Sequence, residues 1–159
     1  MSAWPRPTTA DIALRAFAAS PERLLVEAGQ GMQDILSSQT GNVAANQAVR
    51  QTGEWLIDSD GETSNDRLLV LFLEEILYRC EVEGKWFVDG VVMLTPHSLR
   101  IQASWVDADL VEREVEIKAV TRHELCFEQL AGGQTLTSHW QEVPDFEGPG
   151  WYCDVVFDI

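Results

Sequence analysis

Lysine and arginine are scarce in this chain. They supply 11 of its 159 residues, whereas aspartate and glutamate supply 26, so the formal net charge at pH 7 is −15. A surface with this balance repels phosphate backbones, and we therefore expect no direct binding to nucleic acid. It suits metal binding, good solubility or docking onto a basic protein surface, and acidity alone does not choose between them.

Cysteine is scarce as well. The three cysteines, Cys80, Cys126 and Cys153, are widely separated and none belongs to a C-x-x-C pair. This spacing indicates neither a zinc ribbon nor a thiol redox motif. Because each cysteine lies in an apolar or strand-like segment, we expect free thiols that pack as small apolar side chains.

Long apolar runs and common enzyme motifs are missing too. The longest apolar run, residues 68–73, ends at Glu74 and is too short to cross a bilayer. The N-terminus lacks the charged and apolar stretches of a signal peptide. No nucleophile elbow, P-loop or dinucleotide fingerprint occurs, and the three histidines have no metal-ligand spacing. We expect a cytoplasmic protein with a single domain over residues 1–159 and no nucleophilic hydrolase.

The first half of the chain predicts two helices. Ser20 followed by Pro21 is typical of a helix start, and apolar residues at helical spacing continue to about Ser37. A second, more apolar helix follows a cap at residues 64–66 and extends through Cys80. Strands are predicted at residues 12–17 and 54–58, a loop at residues 38–52, and a turn at residues 58–62.

In the second half of the chain, apolar and polar residues alternate as they do in β-strands. They are predicted at residues 86–88, 90–94, 99–105, 115–121, 124–128, 135–143 and 151–158. Short connections between neighbouring strands favour antiparallel pairing. Helices early and strands late predict an α+β fold in which two main helices pack on an antiparallel β-sheet.

The end of the chain carries two adjacent anionic groups. A strand-like segment delivers the side chain of Asp158 and then the α-carboxylate of Ile159 to one place. Oxygen donors of this kind are the ligands that hard cations prefer. The alternative is an ordinary frayed terminus with a solvated aspartate.

Two further polar residues stand out, each with a plainer alternative. Asp11 immediately precedes a predicted strand, where it either caps a turn or points into a shared pocket. Lys118 is opposite in phase to Ile117 and Ala119 on an otherwise apolar strand. A lysine beside carboxylates balances their charge or binds a phosphate, whereas a rim lysine only covers apolar surface with its stem.

Four segments, taken in order, have the sequence pattern of a known family. The matching residues are Thr9-Ala10-Asp11-Ile12, Leu73-Glu74-Glu75-Ile76-Leu77-Tyr78, Glu116-Ile117-Lys118-Ala119-Val120-Thr121 with His123, and Trp151, Val155 and Asp158-Ile159. On these residues the chain resembles the archease family. It differs from the family pattern at Pro7-Thr8, where Asp-His is usual, and at Arg122, where tyrosine is usual.

The resemblance implies a small α+β protein that binds a divalent cation through Asp11, Asp158 and Ile159. Hard oxygen ligands suit calcium, magnesium or manganese better than zinc. It further implies a non-catalytic accessory factor of the RtcB-type GTP-dependent RNA ligase in tRNA splicing and RNA repair. Such a factor promotes guanylylation and turnover of the ligase, and Lys118 would belong to its functional tip.

Two other functions remain open from the sequence. One is a chaperone-like protein-interaction module, in which the acidic surface and the segment 129–150 around Trp140 contact the partner. The other, ranked last, is a metal-dependent hydrolase in which Asp11 and Asp158 hold a cation that activates water. The sequence offers no general base for the latter.

Overall fold

The computed structural model describes residues 2–6, 11–59 and 63–159. The predicted turn at residues 58–62 lies partly outside these ranges. Among the described residues, no helix is long and apolar enough to cross a membrane. The helices are α1 (Pro21–Leu36), α2 (Gln39–Gln47) and α3 (Asn65–Glu83), with a 3₁₀ turn at Ala108–Leu110. The strands are β1 (Ala3–Arg6), β2 (Ile12–Ala18), β3 (Gln51–Asp58), β4 (Lys85–Leu94), β5 (Ser98–Asp107), β6 (Ala119–Leu130), β7 (Thr135–Leu136), β8 (Phe146–Glu147) and β9 (Gly150–Asp158).

Two antiparallel sheets enclose the helical layer. The four-stranded sheet has the order β1-β2-β9-β6 and the three-stranded sheet the order β3-β5-β4, while β7 and β8 pair as a short ribbon. α1 contacts β2 of one sheet and β4 of the other, and α3 contacts β6 and β4. The predicted α+β architecture, with its main helices packed on antiparallel strands, is confirmed.

Helix α1 begins as the sequence predicts. The Ser20 hydroxyl oxygen accepts a hydrogen bond from the Arg23 amide at 3.1 Å, and Pro21 occupies the first turn. After an adjacent pair of leucines, its apolar residues recur every three or four positions, and they are buried between the sheets because their side chains share one broad face of the helix. They are Leu24, Leu25, Ala28, Met32 and Leu36.

The prediction of a loop at residues 38–52 is wrong, because α2 occupies most of it. The Ser38 hydroxyl accepts from the Gly41 amide at 3.0 Å and caps this helix. A Cβ on Gly41 would lie only 2.1 Å from the carbonyl oxygen of Glu112, so the helix packs directly on a distant backbone segment. Since Gly41 and Ala45 are its buried residues, α2 shows almost no apolar periodicity.

Several strand boundaries also differ from prediction. The two strands expected at residues 86–88 and 90–94 are one strand, β4, with an irregularity in register between Phe87 and Asp89. Residues 115–118 precede β6 and form no strand, although the Glu114 and Val115 amides both donate to the Leu36 carbonyl. Residues 122–125 are a bulge inside β6 instead of a break between two strands. The strand expected at residues 135–143 stops at Leu136, because the chain then folds back over the four-stranded sheet.

The three cysteines are free thiols, as predicted. Cys80 and Cys153 are buried, and Cys126 is half-buried. Burial raises the pKa of the Cys126 thiol to about 11, with a further contribution from the neighbouring Asp154 carboxylate. Burial likewise raises the pKa of Cys80.

Candidate functional site

Three strand ends meet at one end of the four-stranded sheet. β2 begins at Ile12 opposite Phe157, and β6 begins at Ala119 opposite Asp158, the last residue of β9. Extending each register by one residue places Asp11 level with Asp158 and Lys118 level with Ile159. We call this end of the sheet, formed by Asp11, Lys118, Asp158 and Ile159, the tip.

A backbone hydrogen bond connects the segment before β6 to the end of β9 at the tip. The Lys118 amide donates to the Asp158 carbonyl at 2.7 Å, so the pairing of the two chains extends past the first residue of β6. Lys118 and Asp158 are exposed, Asp11 is half-buried, and Ile159 is 40% exposed. The side chains of Lys118 and Asp158 are therefore presented to solvent at the end of the sheet, with Asp11 partly covered beside them.

The tip carries hard oxygen donors, in the form of the carboxylates of Asp11 and Asp158 and the α-carboxylate of Ile159. Within residues 2–6, 11–59 and 63–159, no three His, Cys, Asp or Glu side chains gather as a ready metal site. The tip residues fit a hard cation in donor type. Their assignment as metal ligands remains a prediction.

An acidic groove of about 540 Å³ adjoins the tip beside Asp11. Ile12, Ile35 and Val115 supply apolar lining. The charged residues along it are Arg6, Asp11, Asp34, Glu114 and Glu142. With four carboxylates against one guanidinium, the surface next to the tip favours cations and basic groups.

A buried charge network lies on the outer face of the same sheet, and the sequence reasoning missed it. Arg15 on β2 forms two hydrogen bonds with Asp154 on β9, both 2.7 Å long. Arg6 on β1 approaches Asp154 to 3.9 Å through its Nε, and its Nη2 donates to Glu124 at 3.0 Å. The hydrogen bond to Asp154 raises the pKa of Arg15 despite the burial of its guanidinium.

The segment between β7 and β8 covers this network. The Trp140 ring lies 4.7 Å from the Arg6 guanidinium carbon and 5.0 Å from that of Arg15. Phe146 stacks on Phe17 with a centroid separation of 4.4 Å. An arginine in the middle of an otherwise apolar strand was the one signal in the sequence, since a buried arginine needs a partner.

The bulge in β6 lies on the same strand as the tip. Thr121 pairs with Val156 and Cys126 with Asp154, so four residues of β6 bulge opposite one residue of β9. Within this bulge Glu124 has a φ of 55°, a backbone conformation that is unusual for a residue with a Cβ. Its ion pair with the buried Arg6 holds the bulge against β1. Arg122 and His123, one of the motif residues, are exposed on it.

These features define a small α+β protein with an acidic tip at the end of an antiparallel sheet. The sequence profile of the archease protein family (MTH1598/TM1083) matches residues 5–159. The chain belongs to the archease family. The matched range includes the motif residues Thr9 and Ala10, which lie outside the described residues.

The chain is similar in sequence to curated relatives over most of their length. The chain is 32% identical to the protein archease of Methanopyrus kandleri over 134 residues, covering 78% of this chain and 87% of that protein. It is 30% identical to the protein archease of Pyrococcus furiosus over 143 residues, covering 86% and 93%. This chain is therefore a moderately divergent member.

A solved structure has the same fold. The solution structure of Methanobacterium thermoautotrophicum protein 1598 superimposes with a TM-score of 0.59 over 99% of both chains. The sequence identity between the two is 17%, so this likeness supports the fold and nothing finer.

Proposed function

We propose that this protein is a non-catalytic accessory factor that activates an RtcB-type GTP-dependent RNA ligase in tRNA splicing or RNA repair. It would promote guanylylation of the ligase and its repeated turnover. Membership of the archease family supports the ligase as partner. The observation that carries the role of the tip is the strand register that brings Asp11, Lys118 and Asp158 to one end of the sheet.

In this proposal Asp11, Asp158 and the α-carboxylate of Ile159 hold a divalent cation, which is calcium, magnesium or manganese. A bound cation would supply positive charge and open coordination positions at the tip. The strand ends supply rigidity, because Ile12, Phe157 and Ala119 are fixed in the sheet. Lys118 would contribute a cationic group beside the carboxylates and contact an anionic group of the partner.

The acidic surface fits a protein partner better than RNA itself. With a net charge of −15, the chain would meet RNA against electrostatic repulsion, whereas a basic protein surface would attract it. No catalytic group is needed for such a role. We therefore propose that the chemistry belongs to the ligase and that this protein acts on its nucleotide-loading step.

The test is multiple-turnover ligation by an RtcB-type ligase from the same organism, with GTP and manganese, in the presence and absence of this protein. Covalent guanylylation of the ligase is measured in parallel with labelled GTP. We expect strong stimulation of both reactions by the wild type and its loss with Asp158→Asn. Asp109→Asn, which changes an exposed aspartate beyond β5, is the matched control and should stimulate fully.

A second variant tests the free terminus. One glycine added after Ile159 moves the α-carboxylate by one residue, so it should weaken both manganese binding, measured by calorimetry, and stimulation of the ligase. Full activity of the extended protein would remove the α-carboxylate from the site. No stimulation by a folded wild type with an active ligase would overturn the whole proposal.

The interaction-module alternative depends on the segment 129–150 being available to a partner. Phe146 is instead buried against Phe17, and Trp140 lies over Arg6 and Arg15. These aromatic contacts are made within the protein itself. They favour the accessory-factor proposal, in which this segment stabilises the sheet that carries the tip.

A further inference from the structure

A groove runs between α3 and the extended segment that precedes β6. It has a volume of about 340 Å³. Its apolar floor is formed by Leu36, Leu77 and Ile117, and its rim carries Glu81, Glu114 and Glu116. We call it the α3 groove. It adjoins the groove beside Asp11, with which it shares Glu114 and Val115, but that groove continues along β1 and β2.

Apolar surface continues from the α3 groove onto the solvent side of α3. Leu77 is half-buried, while its neighbour Tyr78 is 51% exposed and Val82, one turn further along, is 65% exposed. Tyr78 and Val82 are four residues apart and therefore lie on the same side of α3, next to the side that carries Leu77. Exposed apolar surface that joins an apolar groove is a common feature of protein-binding surfaces.

The rim of the groove is net negative, because Arg113 is directed at Glu81 and pairs with only one of the three rim carboxylates. Arg113 is the cation among the described residues that line the groove. Its Nη1 lies 3.2 Å from Cys80 Sγ and 4.0 Å from Glu81 Oε1, and its guanidinium carbon lies 6.0 Å from the Trp86 ring. Arg113 is thus directed at its own protein, which leaves the exposed carboxylates of Glu114 and Glu116 at the rim.

We propose that the α3 groove binds a basic segment of a partner protein, with an apolar side chain of that segment seated on Leu77 and Ile117. The apolar floor would provide the anchor, and the rim carboxylates would select lysine or arginine on either side of it. A second copy of this chain is a poor occupant, because both copies carry a net charge of −15.

The α3 groove lies next to the tip. Ile117 lies in its floor, and the next residue, Lys118, belongs to the tip. A partner segment in the groove would therefore approach the protein beside the tip. The proposal goes beyond the proposed function, since binding in the groove can be measured without a ligase, a metal ion or GTP.

The experiment uses the full chain and two synthetic peptides, KRLLRK and KRSSRK, which have the same charge and differ in the two central residues. Binding is followed by amide chemical shifts at 150 mM salt. We expect KRLLRK to bind at least about tenfold more tightly than KRSSRK, because leucine side chains gain from burial in the groove. The shifts should concentrate at residues 36, 77 and 113–117.

Two pairs of variants separate groove binding from general attraction to an acidic surface. Leu77→Ser should raise the dissociation constant of KRLLRK about fivefold or more, whereas Val91→Ser, at an exposed apolar position on β4, should leave it unchanged. Glu116→Gln should weaken binding without perturbing the fold, and Glu54→Gln, on β3, should not weaken it. Equal affinity for both peptides, or shifts spread over the whole acidic surface, would overturn the proposal.

Discussion

Arg15 and Asp154 face each other across β2 and β9 and form a bidentate ion pair, with both N–O distances at 2.7 Å. Their side chains are 8% and 11% exposed. In such surroundings neither charge has water to stabilise it, so each depends on the other. The pair lies across the same two strands whose ends carry Asp11 and Asp158.

Removal of the Asp154 carboxylate should therefore be strongly destabilising. We expect Asp154→Leu to lower the free energy of unfolding by about 3–5 kcal/mol, because it leaves the buried Arg15 guanidinium unpaired. Urea unfolding followed by tryptophan fluorescence measures this change. Glu27→Gln, which breaks the more exposed ion pair of Arg23 on α1, is the control and should cost less than about 1 kcal/mol.

Replacing both partners provides the internal check on this reasoning. The double variant Arg15→Met with Asp154→Leu removes both buried charges, so it should be more stable than Asp154→Leu alone. If the double variant is instead as unstable as the sum of the two single variants, the two side chains are not coupled. The ion pair would then contribute no coupling energy between β2 and β9.

Phe146 anchors the segment that closes over the Arg15 network. Its ring is buried and lies 4.4 Å from the Phe17 ring and 5.3 Å from that of Trp4. We expect Phe146→Ala to lower the free energy of unfolding by about 3–5 kcal/mol, through lost burial and an unfilled cavity. Thr137→Ala, at an exposed position of the same segment, should change it by less than about 0.5 kcal/mol.

The same variant also bears on the interaction-module alternative. At a temperature where Phe146→Ala remains folded, it should still stimulate the ligase, because the tip is intact. Loss of partner binding by a folded Phe146→Ala protein would return the segment 129–150 to consideration as a contact surface.

Sequence reasoning correctly predicted the elements of the fold that local sequence features indicate. α1 has a Ser20 cap, Pro21 and a full apolar stripe, and β2 is a short apolar run. α2 lacked such a stripe, and its packing depends on Gly41 against the backbone of Glu112, which is distant along the chain. In the sequence this contact is marked by one glycine only, which does not indicate the distant backbone segment on which the helix packs.

The candidate site likewise contains residues that sequence reasoning found and residues that it missed. The residues of the tip were found through a family resemblance, and the register then placed them at one end of the sheet. The buried charge network was missed because its paired residues are far apart in sequence: Arg15 and Asp154 are separated by 139 positions, and Arg6 and Glu124 by 118. Periodicity within a strand indicates which face a residue occupies, but it does not identify the partner across the sheet.

Gly41 offers a direct test of the contact that positions α2. An added methyl group would lie 2.1 Å from the Glu112 carbonyl oxygen, so the backbone must move to admit it. We expect Gly41→Ala to lower the free energy of unfolding by about 1–3 kcal/mol, even though alanine is the better helix former. In the matched variant Gly132→Ala, the nearest atom to the new methyl is 4.0 Å away, and the stability should not fall.

Stability should decline in alkaline solution because of the thiols. Burial raises the pKa of Cys126 from its ordinary value of 9.0 to about 11, so between these pH values the unfolded chain loses a proton that the folded protein retains. The contribution of this thiol to stability is full below pH 9 and is lost as the pH rises through 11. The urea midpoint should therefore fall between pH 9 and 11, and less steeply in Cys126→Ala than in the wild type. A residual fall is expected in that variant, since burial raises the pKa of Cys80 and Cys153 as well. Identical slopes in the two proteins would mean that Cys126 ionises normally in the folded state.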